Sequence, residues 1–224
     1  MSVGKSAKAN IPQIGGGIYL ITDVCEILRL PYQKVRYWLN EFWDNGFGIN
    51  HGGYSFGEKG NKAVNFHTLI EFYTFYKLRE QGVSSQKIRK AHNMIAKDLK
   101  VQYPFASAVY TDGIDMWYNY LEECIKLDGK KQIALKKVLA PYLKKIEFGE
   151  DHIAIKYFPI GKNRNVVVDP HHQFGAPTIV GTNIKTETII QLKKGGESKE
   201  SICLLYNLNL HQVNDAILYY RKTA

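Results

Sequence analysis

Ile18-Tyr19-Leu20-Ile21-Thr22-Asp23-Val24-Cys25-Glu26-Ile27-Leu28-Arg29-Leu30-Pro31-Tyr32-Gln33-Lys34-Val35-Arg36-Tyr37-Trp38-Leu39-Asn40-Glu41-Phe42-Trp43 is the stretch on which the fold turns. Val24, Ile27 and Leu28 recur at i, i+3 and i+4, the spacing of one helical face. Thr22 stands where a cap belongs, and Asp23 complements the dipole in the first turn. Pro31 stops this helix and suits the start of the next. In that second helix Val35, Trp38, Leu39 and Phe42 form the apolar stripe, while Gln33, Lys34, Arg36, Tyr37 and Asn40 occupy the opposite side. Two short helices joined by a brief turn, the second with a polar and basic face, predict a helix-turn-helix.

The flanking sequence extends this unit. Tyr54-Ser55-Phe56 and Ala63-Val64-Asn65-Phe66 read as short strands joined by Gly57-Glu58-Lys59-Gly60-Asn61-Lys62, a β-hairpin with a basic tip. A hairpin directly after a helix-turn-helix is a wing. Two longer helices are expected next, over 67–80 and 84–99, with Ser84 as the cap of the second. The aromatic stripe of the first suits either a dimer seam or the domain core. Residues 1–17, ending in Gly15-Gly16-Gly17, read as a mobile arm.

The remainder of the chain changes texture. Pro104-Phe105-Ala106 and Thr111-Asp112-Gly113 read as turns around short strands such as 116–121, and Ile133 to Ile146 as an amphipathic helix with a lysine-rich outer face. Strands are expected at 153–158 and 166–168. Three helices, 186–194, 198–206 and 210–221, are separated by Gly195-Gly196 and Asn207-Leu208-Asn209 and suit a three-helix bundle. The expected class is therefore α+β and mainly helical. The segments are an arm (1–17), a winged helix-turn-helix (18–100), a small mixed α/β connector (101–168) and a helical bundle (169–224).

Composition narrows the function. The 224 residues are 45% hydrophobic and 23% charged, which fits a globular chain. No run approaches the ~18 apolar residues of a membrane span, and the lysines of Met1–Asn10 have no apolar stretch behind them, so neither a membrane anchor nor a secretory signal is expected. Cys25, Cys124 and Cys203 have no CxxC spacing and read as reduced thiols in a cytoplasmic protein. The net charge is +9, and it is uneven: residues 1–100 hold 14 basic and 8 acidic side chains, residues 169–224 only 6 and 5. Such a basic segment concentrates polyanions by counterion release, although it also suits a merely soluble basic protein.

No nucleotide-binding, metalloprotease or nucleophile-elbow motif is present, so no enzyme, catalytic residue or cofactor is expected. Asp169, His171 and His172 could approach a metal, but neighbouring histidines on a strand point to opposite faces, so a structural role is expected and no metal.

The order of these elements, with Val35-Arg36-Tyr37-Trp38 in the second helix, resembles the winged helix-turn-helix of the MerR family. In that family the Arg-Tyr pair lies at the DNA, and Arg36 and Tyr37 occupy the matching positions. MerR wings usually carry an arginine before the tyrosine, whereas Tyr54 follows Gly52-Gly53, which leaves wing contacts to Lys59 and Lys62. Towards the C-terminus, Val168-Asp169-Pro170, Gly175-x-Pro177, Gly181-Thr182 and Ala216-Ile217-Leu218-Tyr219-Tyr220 resemble a small helical domain of bacterial antitoxins, with Asn183 where an arginine is usual. The combination resembles VapB-type antitoxins with a winged-helix DNA-binding domain.

That resemblance implies a dimeric antitoxin that represses its own operon and neutralises a PIN-type ribonuclease toxin. The expected DNA-binding residues are Gln33, Lys34, Arg36 and Tyr37 in the major groove, with Tyr54, Lys59 and Lys62 from the wing. A competing expectation pairs Arg36 with Glu41 or Asp44 as a surface ion pair. Because one short helix reads few base pairs, a homodimer on a double-stranded operator is expected. Two alternatives stay open: a MerR-like transcriptional regulator whose middle region binds an effector, and an interaction scaffold that binds no DNA.

Overall fold

A computed structural model describes residues 12–47, 54–58, 60–107 and 143–221. Lys59, the turn at 111–113, the strand expected at 116–121 and most of the helix expected from Ile133 lie outside the described residues. The chain is α+β, with three small antiparallel sheets and several helices among the described residues.

β1 (Tyr19–Leu20) leads into α1 (Ile21–Leu28), and α2 (Tyr32–Trp38) continues into a wider π-helical turn over Leu39–Asp44. The cap of α1 is Leu20 rather than Thr22: its backbone N–H donates to the Asp23 carboxylate at 2.8 Å, so Asp23 closes the turn two residues earlier. β2 (Ser55–Phe56) and β3 (Ala63–Val64) form the expected hairpin, and β1 joins its far edge in the order β1-β3-β2.

α3 (Phe66–Glu80) begins sooner than expected because Asn65 caps it, accepting from the Thr68 N–H at 2.9 Å. This corrects the assignment of Asn65 and Phe66 to a strand. Phe66, Leu69, Ile70, Phe72, Phe75 and Leu78 of α3 are all fully buried in this chain's own core. The Trp43 ring lies 4.3 Å from Phe72, and Trp38 meets Phe75 edge-on at 4.9 Å. The aromatic helix is therefore the core of the domain and not a dimer seam. Each such side chain removed from water stabilises the fold by ~1.5–3 kcal/mol. α4 (Ser85–Leu99), capped by Ser84, packs alongside. The two helices share a buried polar contact, with His92 Nε2 lying 2.6 Å from Glu71 Oε2, and Glu71 Oε1 accepts the Phe105 N–H at 2.7 Å.

The middle strands belong to this same core. β4 (Ile146–Phe148) pairs with β5 (Ala154–Tyr157), and Phe105, Ile146, Ala154, Tyr157 and Val168 share one apolar cluster with Tyr19 and Trp43. Ile146 is a strand residue, so the helix expected to run through it ends earlier. β6 (Val166–Val167) pairs with β7 (Thr178–Ile179) across the boundary expected at 168/169.

α5 (Thr186–Lys194), α6 (Lys199–Tyr206) and α7 (Leu210–Arg221) then surround a second cluster built on Ile189, Ile202, Val213 and Ile217. Residues 12–17 are integrated rather than an arm: the Gly16 carbonyl accepts from the Phe66 N–H at 2.9 Å. The two ends of the chain meet at Tyr19. Ile18 donates to the Phe174 carbonyl at 3.1 Å, and Gly175, at φ +90°, leaves space for the Tyr19 phenol where any Cβ would collide.

Candidate nucleic-acid interface

α2 is amphipathic in the structure as in the sequence. Val35, Trp38 and Leu39 are buried, while Gln33, Lys34, Arg36 and Tyr37 are exposed. The buried half holds the helix against α3, so the exposed half is presented on a rigid support. Lys34 lies along this support, its Nζ 5.6 Å from the Trp38 ring and 5.7 Å from Tyr76. Tyr37, 57% exposed, meets Phe42 edge-on at 5.8 Å. Phe42 in turn lies under the Arg89 guanidinium, at 6.0 Å from its ring centre.

The Arg36 side chain makes no ion pair or hydrogen bond among the described residues. Its expected competitor, Asp44, is fully engaged elsewhere: it accepts from the Tyr54 N–H (3.2 Å), the Ser55 N–H (3.1 Å), the Ser55 hydroxyl (2.6 Å) and Lys62 Nζ (2.6 Å). Among the described residues, Arg36 therefore keeps its planar set of donors for an external acceptor.

The wing residues have different positions from those expected. Tyr54 is buried, and its hydroxyl donates to the Gln102 carbonyl at 2.7 Å. Burial, with Glu71 nearby, pushes its phenol well above the usual range, so it is a neutral donor committed to the interior. Lys62 turns back onto Asp44 and also donates to Asn40 Oδ1 at 2.9 Å. It ties the hairpin to the end of the α2 helix instead of projecting from the tip. Both side chains are engaged within the chain. Lys59 lies outside the described residues.

The face that remains is made of Gln33, Lys34, Arg36 and Tyr37, widened by Arg89 from α4. Arg89 was missed because α4 was read only for its apolar stripe. Its basic run Lys87, Arg89, Lys90 was the available signal.

Asp169, His171 and His172 form a turn, not a strand. The His171 N–H donates to Asp169 Oδ1 at 2.9 Å, and His172 Nδ1 lies 3.0 Å from Asn183 Oδ1. Asn183, which departs from the arginine usual in the resembled domain, is thus one partner of this turn. No cluster of three or more metal-ligating side chains occurs among the described residues.

Residues 166–220 match the family DUF433. Its description is a protein of unknown function, and the match takes in β6 through α7. The chain is 22% identical over 165 residues to a Mycobacterium tuberculosis protein named "Putative antitoxin VapB45", covering 68% of this chain and 69% of that one. A 57-residue stretch is 40% identical to the uncharacterized protein Rv2308 of the same organism, covering 25% of this chain and 24% of Rv2308. The crystal structure of Rv2018, also from M. tuberculosis, superposes with a TM-score of 0.70 at 19% identity, over 93% of this chain and 98% of that one. That likeness shows a shared fold along almost the whole chain.

Proposed function

We propose that the protein is a DNA-binding antitoxin of a toxin–antitoxin system. On this reading it is a winged helix-turn-helix protein in which α1 and α2 form the reading unit and the C-terminal helices a small bundle. The observation that carries the DNA reading is the bare face of α2. Arg36 is exposed and uncommitted beside Gln33, Lys34 and Tyr37, on a helix whose other face is locked into an aromatic core. Arg36 and Gln33 can each address a base edge with two hydrogen bonds, worth ~1–3 kcal/mol of discrimination per good pair. Lys34, Tyr37 and Arg89 set the register on phosphates. Two copies would read two half-sites about one helical turn apart, or a multiple of that distance.

The antitoxin reading rests on the similarity to "Putative antitoxin VapB45" along two thirds of the chain. With it come repression of its own operon and neutralisation of a PIN-type ribonuclease toxin. The effector-binding alternative places its pocket in the middle region, which falls largely on residues outside the described set.

Fluorescence anisotropy on DNA from the gene's own upstream region, against scrambled DNA and over a salt series, tests the DNA reading. Arg36→Ala is expected to weaken specific binding about 5–150-fold, the equivalent of ~1–3 kcal/mol, and to narrow the gap to scrambled DNA. Unchanged operator binding by Arg36→Ala would reject α2 as the reading helix. Growth rescue on co-expression with the adjacent toxin gene tests the antitoxin reading, and failure to rescue would reject it.

A further inference from the structure

The chain contains the α1–α2 unit twice. Shifting the first unit by 178 positions, Ile21 onto Lys199, superimposes the helix limits of α1 on α6 and the start of α2 on that of α7. Both first helices end on a left-handed residue, Arg29 at φ 58° and Asn207 at φ 50°. Both turns then make the same bonds: Leu30 N–H to the Cys25 carbonyl at 3.0 Å, and Leu208 N–H to the Cys203 carbonyl at 2.9 Å. A buried leucine follows each cap, and a buried valine, Val35 or Val213, sits at the fourth position of each second helix.

Against this common frame the surfaces differ in kind. The places of Lys34, Arg36 and Tyr37 are held by Gln212, Asn214 and Asp215. Asn214 is engaged by Lys199, and Asp215 is buried against Arg164 and Asn165. The second unit has thus lost the free basic face. In exchange, the places of Glu26 and the buried Ile27 are held by Leu204 and Leu205, which are 87% and 66% exposed. Adjacent bare leucines in the middle of a short helix cost solubility unless something covers them.

We propose that this second unit is the surface through which two copies of the chain associate, with Leu204 and Leu205 of each inserted against the other. Two observations favour a second copy over a different partner. First, the C-terminal helices carry both the projection, on α6, and a groove between α5 and α6, lined by Glu187, Thr188, Gln191, Leu192, Glu197 and Tyr206. A two-fold contact requires that self-complementarity. Second, residues 169–224 hold 6 basic and 5 acidic side chains, so two copies meet there almost without net repulsion, whereas residues 1–100 would bring together two strongly basic surfaces. Association at this end leaves both α2 faces free. The need for a pair rests on the DNA reading above, so the test is made without DNA.

Analytical ultracentrifugation of the full chain at about 1–100 µM is expected to show a species of twice the 25.6 kDa chain mass. Leu204→Glu/Leu205→Glu is expected to shift it to the single-chain mass, with far-UV circular dichroism and melting unchanged. Leu204→Ala/Leu205→Ala, which keeps the helix, is expected to weaken association at least tenfold, and it decides the matter if the charged variant misfolds. A monomeric wild type across this range, or a dimer that survives the alanine pair unweakened, overturns the proposal. If the dimer forms as expected but Arg36→Ala leaves operator binding intact, the DNA reading alone has failed.

Discussion

Replacing Lys62 by methionine separates two roles that a basic wing residue can have. The substitution keeps the aliphatic stem and removes the ammonium group, which here lies 2.6 Å from Asp44 Oδ2 and 2.9 Å from Asn40 Oδ1. The two paired side chains are 25% and 14% exposed, so the contact lies between a solvated surface pair, worth ~0–1 kcal/mol, and a buried one whose disruption costs ~3–5 kcal/mol. Asp44 retains the Tyr54 and Ser55 donors after the change and is not left as an orphan charge, which keeps the cost near the lower limit, at about 1–2 kcal/mol. For a chain of this length that lowers Tm by roughly 2–8 °C. The salt dependence of operator binding should keep its slope, because Lys62 touches no phosphate. A phosphate contact would give the reverse pattern: an unchanged Tm and a slope of log K against log salt reduced by about one. Paired melting and anisotropy measurements on Lys62→Met distinguish the two, and the second pattern would refute the inward placement of Lys62.

Two further perturbations probe the scaffold beneath α2. Glu71→Ala strips both the buried His92 and the Phe105 N–H of their acceptor, and it should cost about 3–5 kcal/mol in urea unfolding, whereas Glu71→Gln, which keeps an acceptor, should cost clearly less. Equal losses from the two variants would contradict the buried contact. His67 is half-buried beside the Ala154 carbonyl, and the loss of solvation there holds its imidazole below the ordinary pKa of 6.5. The unfolded chain therefore binds a proton on this residue before the folded one does. Its contribution to stability is complete above about pH 6.5 and is lost as the pH falls below it, at up to ~1.4 kcal/mol per unit. Thermal melts at pH 7.5 and 5.5 should show a larger acid loss in wild type than in His67→Gln, and an identical loss in both would remove His67 from the account.

What was legible in the sequence follows from how local each signal is. The start of α2 and the limits of α5 and α7 were readable because Pro31, Gly195-Gly196 and Asn207–Asn209 punctuate strong apolar periodicity, whereas the change to a π turn after Trp38 was not. The errors gather where a residue's role depends on a partner far along the chain. Gly15-Gly16-Gly17 has the composition of a loose arm, but Gly16 bonds to Phe66, and Gly17 packs against Tyr19. The stripe of α3 fits an interface as well as a core until Trp38 and Trp43 are seen to cover it. The repeat of the two-helix unit escaped notice because it is carried by buried leucine and valine positions and left-handed caps, while the surface residues that dominate a reading by eye have diverged.

Arg36 and Lys62 show the limit most clearly. Each is a cation near aromatic residues, and each fits a DNA contact on residue type alone. Their difference comes from Asp44. It lies at the end of the π-helical turn, where the backbone brings it against the hairpin and away from the α2 face. The wider turn also places Trp43 in the core and leaves Phe42 at the surface between Tyr37 and Arg89. That one turn commits Lys62 to the scaffold, leaves the Arg36 side chain without a partner among the described residues and joins α4 to the exposed face. Periodicity within α2 carries no trace of this, since the helix reads the same whether it ends in an α or a π turn. The exposed Arg36 side chain is therefore a consequence of packing, and because Asp44 keeps its Tyr54 and Ser55 donors when the Lys62 ammonium is removed, loosening the Asp44–Lys62 contact leaves the α2 face as it is.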